Sequence, residues 1–149
     1  MDFFTQLLEN KPLMAALLGW ISAQVGKTIL YALLNKEIRL ERMVGSGGMP
    51  SSHAATVCAL ASSCARFYGG GSAEFALALV LAMVVLYDAR GVRLETGKQA
   101  QTINDIVDFL EKLTDQNLPN PELKELVGHT PFQVFIGAIM GIVIGFLVN

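Results

Sequence analysis

Four long apolar segments constrain what this chain can fold into. They cover residues 13–34, 50–68, 73–87 and 131–148, and most of them approach the roughly 20 residues with which a helix crosses a bilayer. Only 16% of the 149 residues are charged and the mean hydropathy is +0.47, so the chain has little polar surface with which to solvate a compact soluble domain. The sequence therefore predicts an all-α, polytopic membrane helical bundle of about four spans, built as a single domain over residues 1–149.

An all-α soluble domain is the alternative, because the third segment is short for a bilayer and the second carries several small polar residues. The first eleven residues include Asp2 and Glu9 and lack the basic start of a cleavable signal. We therefore expect the first apolar segment to remain in the mature protein.

Successive spans alternate in direction, which places the two histidines of the chain at one membrane face. The glycine-rich residues 69–72 give a short turn between the second and third segments. Basic residues flank the histidine face far more often than the opposite face, which has only Lys11 and Arg66, so the positive-inside rule makes the histidine face cytoplasmic. The basic residues on this face are Lys36, Arg39, Arg42, Arg90, Arg93, Lys98, Lys112 and Lys124.

Apolar residues recur at helical spacing between the third and fourth segments, and charged residues fill the other positions. The apolar positions are Ile103, Ile106, Val107, Leu110 and Leu113. This pattern predicts an amphipathic surface helix, which either lies on the lipid headgroups or covers the site. Residues 117–121 then form a helix-breaking linker.

The only two histidines, His53 and His129, lie just inside and just before an apolar segment that begins with a proline. Pro50 and Pro131 are suited to the first position of a helix, where the missing N–H group is not needed. Imidazole can attack a phosphate ester or protonate its leaving group near neutral pH. The sequence predicts a two-histidine phosphotransfer site at the membrane surface, and the alternative is a pair of capped helices whose histidines merely meet the headgroups.

Residues 50–53 read Pro-Ser-Ser-His and resemble the Pro-Ser-Gly-His motif of the type 2 phosphatidic acid phosphatase superfamily, which includes the vanadium haloperoxidases. Residues 129–137 read His-Thr-Pro-Phe-Gln-Val-Phe-Ile-Gly and resemble the superfamily motif His-x-x-x-Asp-Val-x-x-Gly. With Tyr-Asp-Ala-Arg-Gly-Val-Arg at residues 87–93, the motifs are similar to the divergent bacterial and plastid branch of that superfamily. The resemblance covers most of the chain.

The resemblance implies a role for each matching residue. His129 would be the nucleophile that takes the phosphoryl group, and His53 would protonate the leaving alkoxide. Gln133 replaces the aspartate that orients the nucleophilic ring, and an amide supports an imidazolium less well than a carboxylate does. The implied function is hydrolysis of a lipid phosphomonoester or diphosphate, and the alternative is a non-catalytic membrane binding or scaffold protein that retains the fold.

The cationic motifs of the superfamily are only partly present. Its Lys-x6-Arg-Pro motif is absent as written, although Lys36 and Arg42 lie in the expected region, and Arg90 and Arg93 are the best substitutes for its Ser-Arg. The predicted phosphate-binding residues are therefore Ser51, Ser52, Arg90, Arg93, Lys36 and Arg42. Lys27 and Asp88 are predicted as supporting residues because charge within an apolar span indicates a functional site. Snorkelling of Lys27 and a helix-end ion pair of Asp88 are the alternatives.

Several partners and groups are not expected. A net charge of −2 gives no basic field for nucleic acid, and the acidic residues show no compact spacing for a metal site, so we expect no metal and no cofactor. Cys58 and Cys64 lie on different faces of one helix and are predicted to remain unpaired. Glycines at positions 137, 141 and 145 allow close helix packing, either within the bundle, which we favour, or in a homodimer.

Overall fold

The computed structural model describes residues 2–37, 48–114, 123 and 128–148, with the exception of the Arg93 side chain. The described residues form six helices and no strand, which confirms the all-α prediction. The helices are α1 (Phe3–Glu9), α2 (Lys11–Asn35), α3 (Ser52–Tyr68), α4 (Ala73–Arg90), α5 (Val92–Thr114) and α6 (Pro131–Leu147).

Helix α3 is the centre of the bundle and packs against α2, α4 and α6. Its inner positions are alanine, serine and cysteine, and the three glycines of α6 lie against its backbone. Gly137 faces Ser51 and Ala54, whereas Gly141 faces the backbone of Ala55. Close approach of two backbones replaces large side chains as the source of packing energy, as is usual between helices in a membrane. The glycine stripe therefore packs within the bundle, as predicted.

Large apolar side chains cover the outside of the bundle, while small residues fill its inside. Ile29 of α2, Leu77 of α4 and Phe135 of α6 are all more than half exposed. Two helical stretches, Lys11–Asn35 and Ala73–Thr114, are long and apolar enough to cross a membrane, and Pro131–Leu147 is a shorter apolar helix. An apolar exterior of this extent suits lipid rather than water. The chain forms a small helical membrane bundle.

The start of α3 corrects one prediction. Pro50 is not the first helical residue, because Ser51 is the N-cap and the helix begins at Ser52. The Ser51 side chain accepts a hydrogen bond from the Ala54 N–H group at 3.3 Å and thereby caps the helix. A proline side chain has no acceptor with which to form this bond. Pro131 is the first residue of α6, as predicted, and Thr130 is its N-cap.

Helix α5 is longer than its apolar pattern predicts. It starts at Val92, one residue after α4 ends, so that the two helices are joined through Gly91. Among the described helices α5 contacts only α4, and most of its side chains are exposed. The structure thus gives no packing of α5 over α2, α3 or α6. Cys58 and Cys64 are both buried and unpaired, as predicted.

Candidate functional site

Backbone hydrogen bonds hold the ends of three helices together around the two histidines. The Ser51 N–H group donates to the Gln133 carbonyl at 3.1 Å, which joins the start of α3 to the start of α6. The His129 N–H group donates to the Ala89 carbonyl at 3.3 Å, which joins the entry to α6 to the last turn of α4. These bonds bring His53, in the first turn of α3, to the same end of the bundle as His129.

The two imidazole rings face each other across a short gap. Their centroids are 6.0 Å apart, and the ring planes meet at 62°. His129 is 1% exposed and His53 is half-buried, so the pair is largely withdrawn from the surface. Two rings at this separation can both contact one phosphoryl group. The structure confirms that the histidines meet, as the alternating direction of the segments predicts.

Gln133 fixes which nitrogen of His129 carries the proton. The Gln133 Oε1 atom lies 3.1 Å from the Thr130 N–H group and 3.3 Å from His129 Nδ1. A backbone N–H group can only donate, so the atom that faces it must be the amide oxygen, and that oxygen can only accept. His129 Nδ1 therefore donates its proton to Gln133, and Nε2 keeps the lone pair that a nucleophile needs.

The same side chain completes the N-terminus of α6. Gln133 lies three residues after the Thr130 N-cap, and its own N–H group donates to Thr130 Oγ1 at 3.3 Å. This reciprocal capping box ties the orientation of His129 to the start of the helix. Gln133 is half-buried in this arrangement, and its amide oxygen is shared between the cap and the imidazole.

Burial lowers the pKa of His129 below its ordinary value of 6.5, because the charged form loses hydration. The nearby charges of Lys27 and His53 lower the pKa further, whereas the Gln133 side chain and the Gly48 backbone raise it, because their oxygen atoms stabilise the protonated ring. The net effect lowers the pKa, which favours the neutral form of the His129 imidazole. A neutral imidazole is the form that can attack phosphorus.

Lys27 is the cation that the structure brings to the histidines. It is 4% exposed, and its stem passes Gly48, where an added Cβ atom would lie 3.4 Å from Lys27 Cγ. Its charge acts on the His129 imidazole. Gly48 has φ +82°, a conformation that glycine adopts most easily, so this residue type allows the loop to turn beside the lysine stem. The site thus has a buried lysine whose charge acts on its buried histidine.

Lys36, in contrast, is not brought to the histidines. It is the exposed C-cap of α2, nine residues after Lys27, which corresponds to about 13 Å along a helix. The sequence analysis expects α2 to end near the site, but the helix continues well past it. Lys27, which was predicted as a supporting residue, is the lysine whose charge acts on His129, and a phosphate-binding role of Lys36 stays a prediction.

The other predicted phosphate ligands lie in different settings. Ser51 is fully buried and caps α3, which is a structural role, and Ser52 is buried as the first residue of α3. Arg90 is exposed at the end of α4, one residue after the carbonyl that accepts from His129, and Asp88 is half-buried in the same turn. Their phosphate-binding and supporting roles stay predictions. Arg42 and the Arg93 side chain lie outside the described residues.

One buried polar residue of the same helix as Lys27 is not among the predicted site residues. Gln24 is 6% exposed, and its Oε1 atom has no hydrogen-bond partner within the described part of the chain. The available signal was a polar residue three positions before Lys27 within an apolar span.

Comparison with known proteins agrees with the motifs. Residues 8–144 match the family model described as Divergent PAP2 family. The uncharacterized membrane protein YuiD of Bacillus subtilis (strain 168) is 35% identical in an alignment that covers 93% of this chain and 94% of YuiD. No solved structure matches the chain. The resemblance inferred from the two histidine motifs is thereby confirmed, and this chain belongs to the Divergent PAP2 family.

Proposed function

We propose that this protein hydrolyses a lipid phosphomonoester or diphosphate through a covalent phosphohistidine. The observation that carries the proposal is the pairing of His53 with a buried His129 whose Nδ1 atom faces the Gln133 amide oxygen, an arrangement that leaves Nε2 for the attack. Family membership supports a phosphatase-like chemistry. The lipid tail stays in the bilayer while its phosphate group reaches the end of the bundle.

The reaction has two displacement steps. His129 Nε2 attacks phosphorus, the bond between phosphorus and the leaving oxygen breaks, and His53 gives that oxygen its proton. In the second step a water molecule gives a proton to His53 and attacks the phosphohistidine, which releases phosphate and restores both rings. The ammonium group of Lys27 offsets the negative charge that the phosphoryl oxygens carry throughout.

The proposed function is tested by release of inorganic phosphate from a panel of lipids. Purified protein in liposomes is given phosphatidate, phosphatidylglycerophosphate or a prenyl diphosphate, and the release is measured against protein-free liposomes. Release from at least one lipid supports the proposal. Saturable binding of the same lipids without any release supports instead the non-catalytic binding protein, which the neutral amide of Gln133 favours.

We expect Gln133→Glu to move the acid limb of the pH–rate profile to higher pH. The glutamate keeps the length of the side chain and the cap to Thr130, but its charge raises the pKa of His129. Protonated His129 cannot attack, and a higher pKa means that it becomes protonated at a higher pH as the pH falls. The limb should therefore shift upward by about one pH unit or more. The measurement is the profile of kcat/KM between pH 4.5 and 8. An acid limb that does not move would mean that His129 is not the group whose protonation sets it.

The proposed topology has several membrane crossings, with the histidine end facing the cytoplasm. We expect a cysteine in place of Lys36 to be shielded from an impermeant thiol reagent applied outside intact cells, with Cys58 and Cys64 changed to serine. A cysteine in place of Gly70, in the turn at the opposite end, serves as the matched control and should react. Labelling at position 36 and protection at position 70 would reverse the orientation.

A further inference from the structure

One buried polar side chain of α2 has no part in the mechanism above. Gln24 is more than nine-tenths buried, and its Oε1 atom lacks a hydrogen-bond donor among the residues that the structure describes. An amide oxygen buried in this way destabilises the protein unless something donates to it. Such a group beside a reaction site points to a ligand that brings the donor.

Gln24 lies on the same side of α2 as Lys27. Residues three apart in a helix are neighbours on its surface, about one turn from each other along the axis. Lys27 is buried with its stem against Gly48, and its charge acts on His129, so Gln24 lies about one helical turn from this cation, further toward the middle of the bundle.

Two glycine contacts fix the level of Gln24 along the bundle. Gly19 of α2 lies against Ala55 of α3, where an added Cβ atom would be 2.8 Å from the carbonyl oxygen. Gly26 lies against Pro50, at 3.6 Å by the same measure. Gln24 is between these two glycines in sequence, so it is level with the first turn of α3, which carries the histidine that protonates the leaving group.

This level corresponds to the leaving-group side of the reaction. His129 attacks from one side of phosphorus, and the leaving oxygen departs from the opposite side, toward His53. The alcohol that departs therefore occupies the space at the level of Gln24. An acceptor at this position contacts the carbon atoms next to the ester oxygen rather than the phosphate itself.

We infer that Gln24 accepts a hydrogen bond from a hydroxyl group on the leaving alcohol, so that the substrate is a lipid whose terminal phosphate is carried by a hydroxylated headgroup. This inference rests on the proposed phosphatase function. Phosphatidate and prenyl diphosphates present only acceptors next to the scissile bond, and they leave Gln24 Oε1 without a donor. A site built to accept from a hydroxyl group discriminates strongly against analogues that lack it.

The test uses two lipids that differ by one oxygen atom. Phosphatidylglycerophosphate carries a hydroxyl group next to the carbon that bears the terminal phosphate, and its deoxy analogue has hydrogen there. We expect wild-type kcat/KM to favour the hydroxylated lipid by about tenfold or more. Gln24→Met, which keeps the side-chain length, should abolish this preference, so that the ratio of the two kcat/KM values falls to about one.

Thr28→Val is the matched control on the same helix. The Thr28 hydroxyl group already donates to the Gln24 backbone carbonyl at 2.9 Å, so its loss removes a polar group of α2 without removing the proposed acceptor. This variant should keep the wild-type preference. A purely structural role of Gln24 would change both lipids alike and would leave their ratio unmoved.

The result that overturns the inference is equal turnover of the two lipids by the wild-type protein, or a preference that survives Gln24→Met. The wild-type comparison needs no variant, so it holds even if Gln24→Met folds poorly. If neither lipid is hydrolysed, the proposed function fails. Equilibrium binding of the same two lipids to the wild-type protein then decides the inference, with tighter binding of the hydroxylated lipid supporting it and equal binding rejecting it.

Discussion

Replacing His129 with alanine should lower phosphate release by about a thousandfold or more, because the covalent step loses its nucleophile. In the proposed mechanism the other histidine of the chain, His53, acts on the leaving group and does not take over the attack. The measurement is single-turnover release from the best lipid of the panel, together with a test for acid-labile phosphate on the protein. Thermal unfolding in detergent serves to show that the variant is folded.

His53→Ala is the control that separates the two histidines. Loss of a general acid should slow hydrolysis of an alkyl phosphate by about a hundredfold. Hydrolysis of an activated aryl phosphate should be slowed much less, since its leaving group needs little protonation. His129→Ala should slow both substrates alike. Wild-type rates in the His129→Ala protein would contradict the catalytic assignment and leave the lipid-binding protein as the better account.

Replacing Gly141 with alanine should destabilise the bundle by about 1–3 kcal/mol, with a fall in the thermal midpoint of about 5–10 °C. An added Cβ atom would collide with the Ala55 carbonyl oxygen and lie 2.9 Å from the Ala55 Cα atom, so α6 must move away from α3. That movement also separates the start of α6 from the start of α3, where the histidines meet. Activity should therefore fall with stability.

Gly71→Ala is the matched control for this change. Gly71 lies in the turn between α3 and α4, and an added Cβ atom would have nothing within 4 Å. The same chemical substitution should leave both the thermal midpoint and phosphate release unchanged. A destabilisation of equal size at the two positions would mean that loss of glycine flexibility, rather than the close approach of α6 and α3, explains the effect at Gly141.

The sequence by itself determined the helical class, the membrane setting and the two histidine motifs. Apolar segments of nearly membrane-crossing length depend on local composition, and they become α2, α3, α4 and α6 with shifts of a few residues at their ends. The meeting of His53 with His129 follows from alternating helix direction. The same reasoning predicts the internal packing of the glycine stripe, because its spacing of four keeps every glycine on one side of α6.

Only the tertiary structure decided which polar groups reach the histidines. The sequence offers both Lys27 and Lys36, and the packing of α2 beside the start of α3, with Gly26 near Pro50, is what puts Lys27 beside Gly48. The packing of α2 against its neighbouring helices also decides that both Gln24 and Lys27 are buried. Helix formation depends on residues close in sequence, whereas the height and rotation of one helix against another depend on contacts between distant residues, which local patterns do not encode.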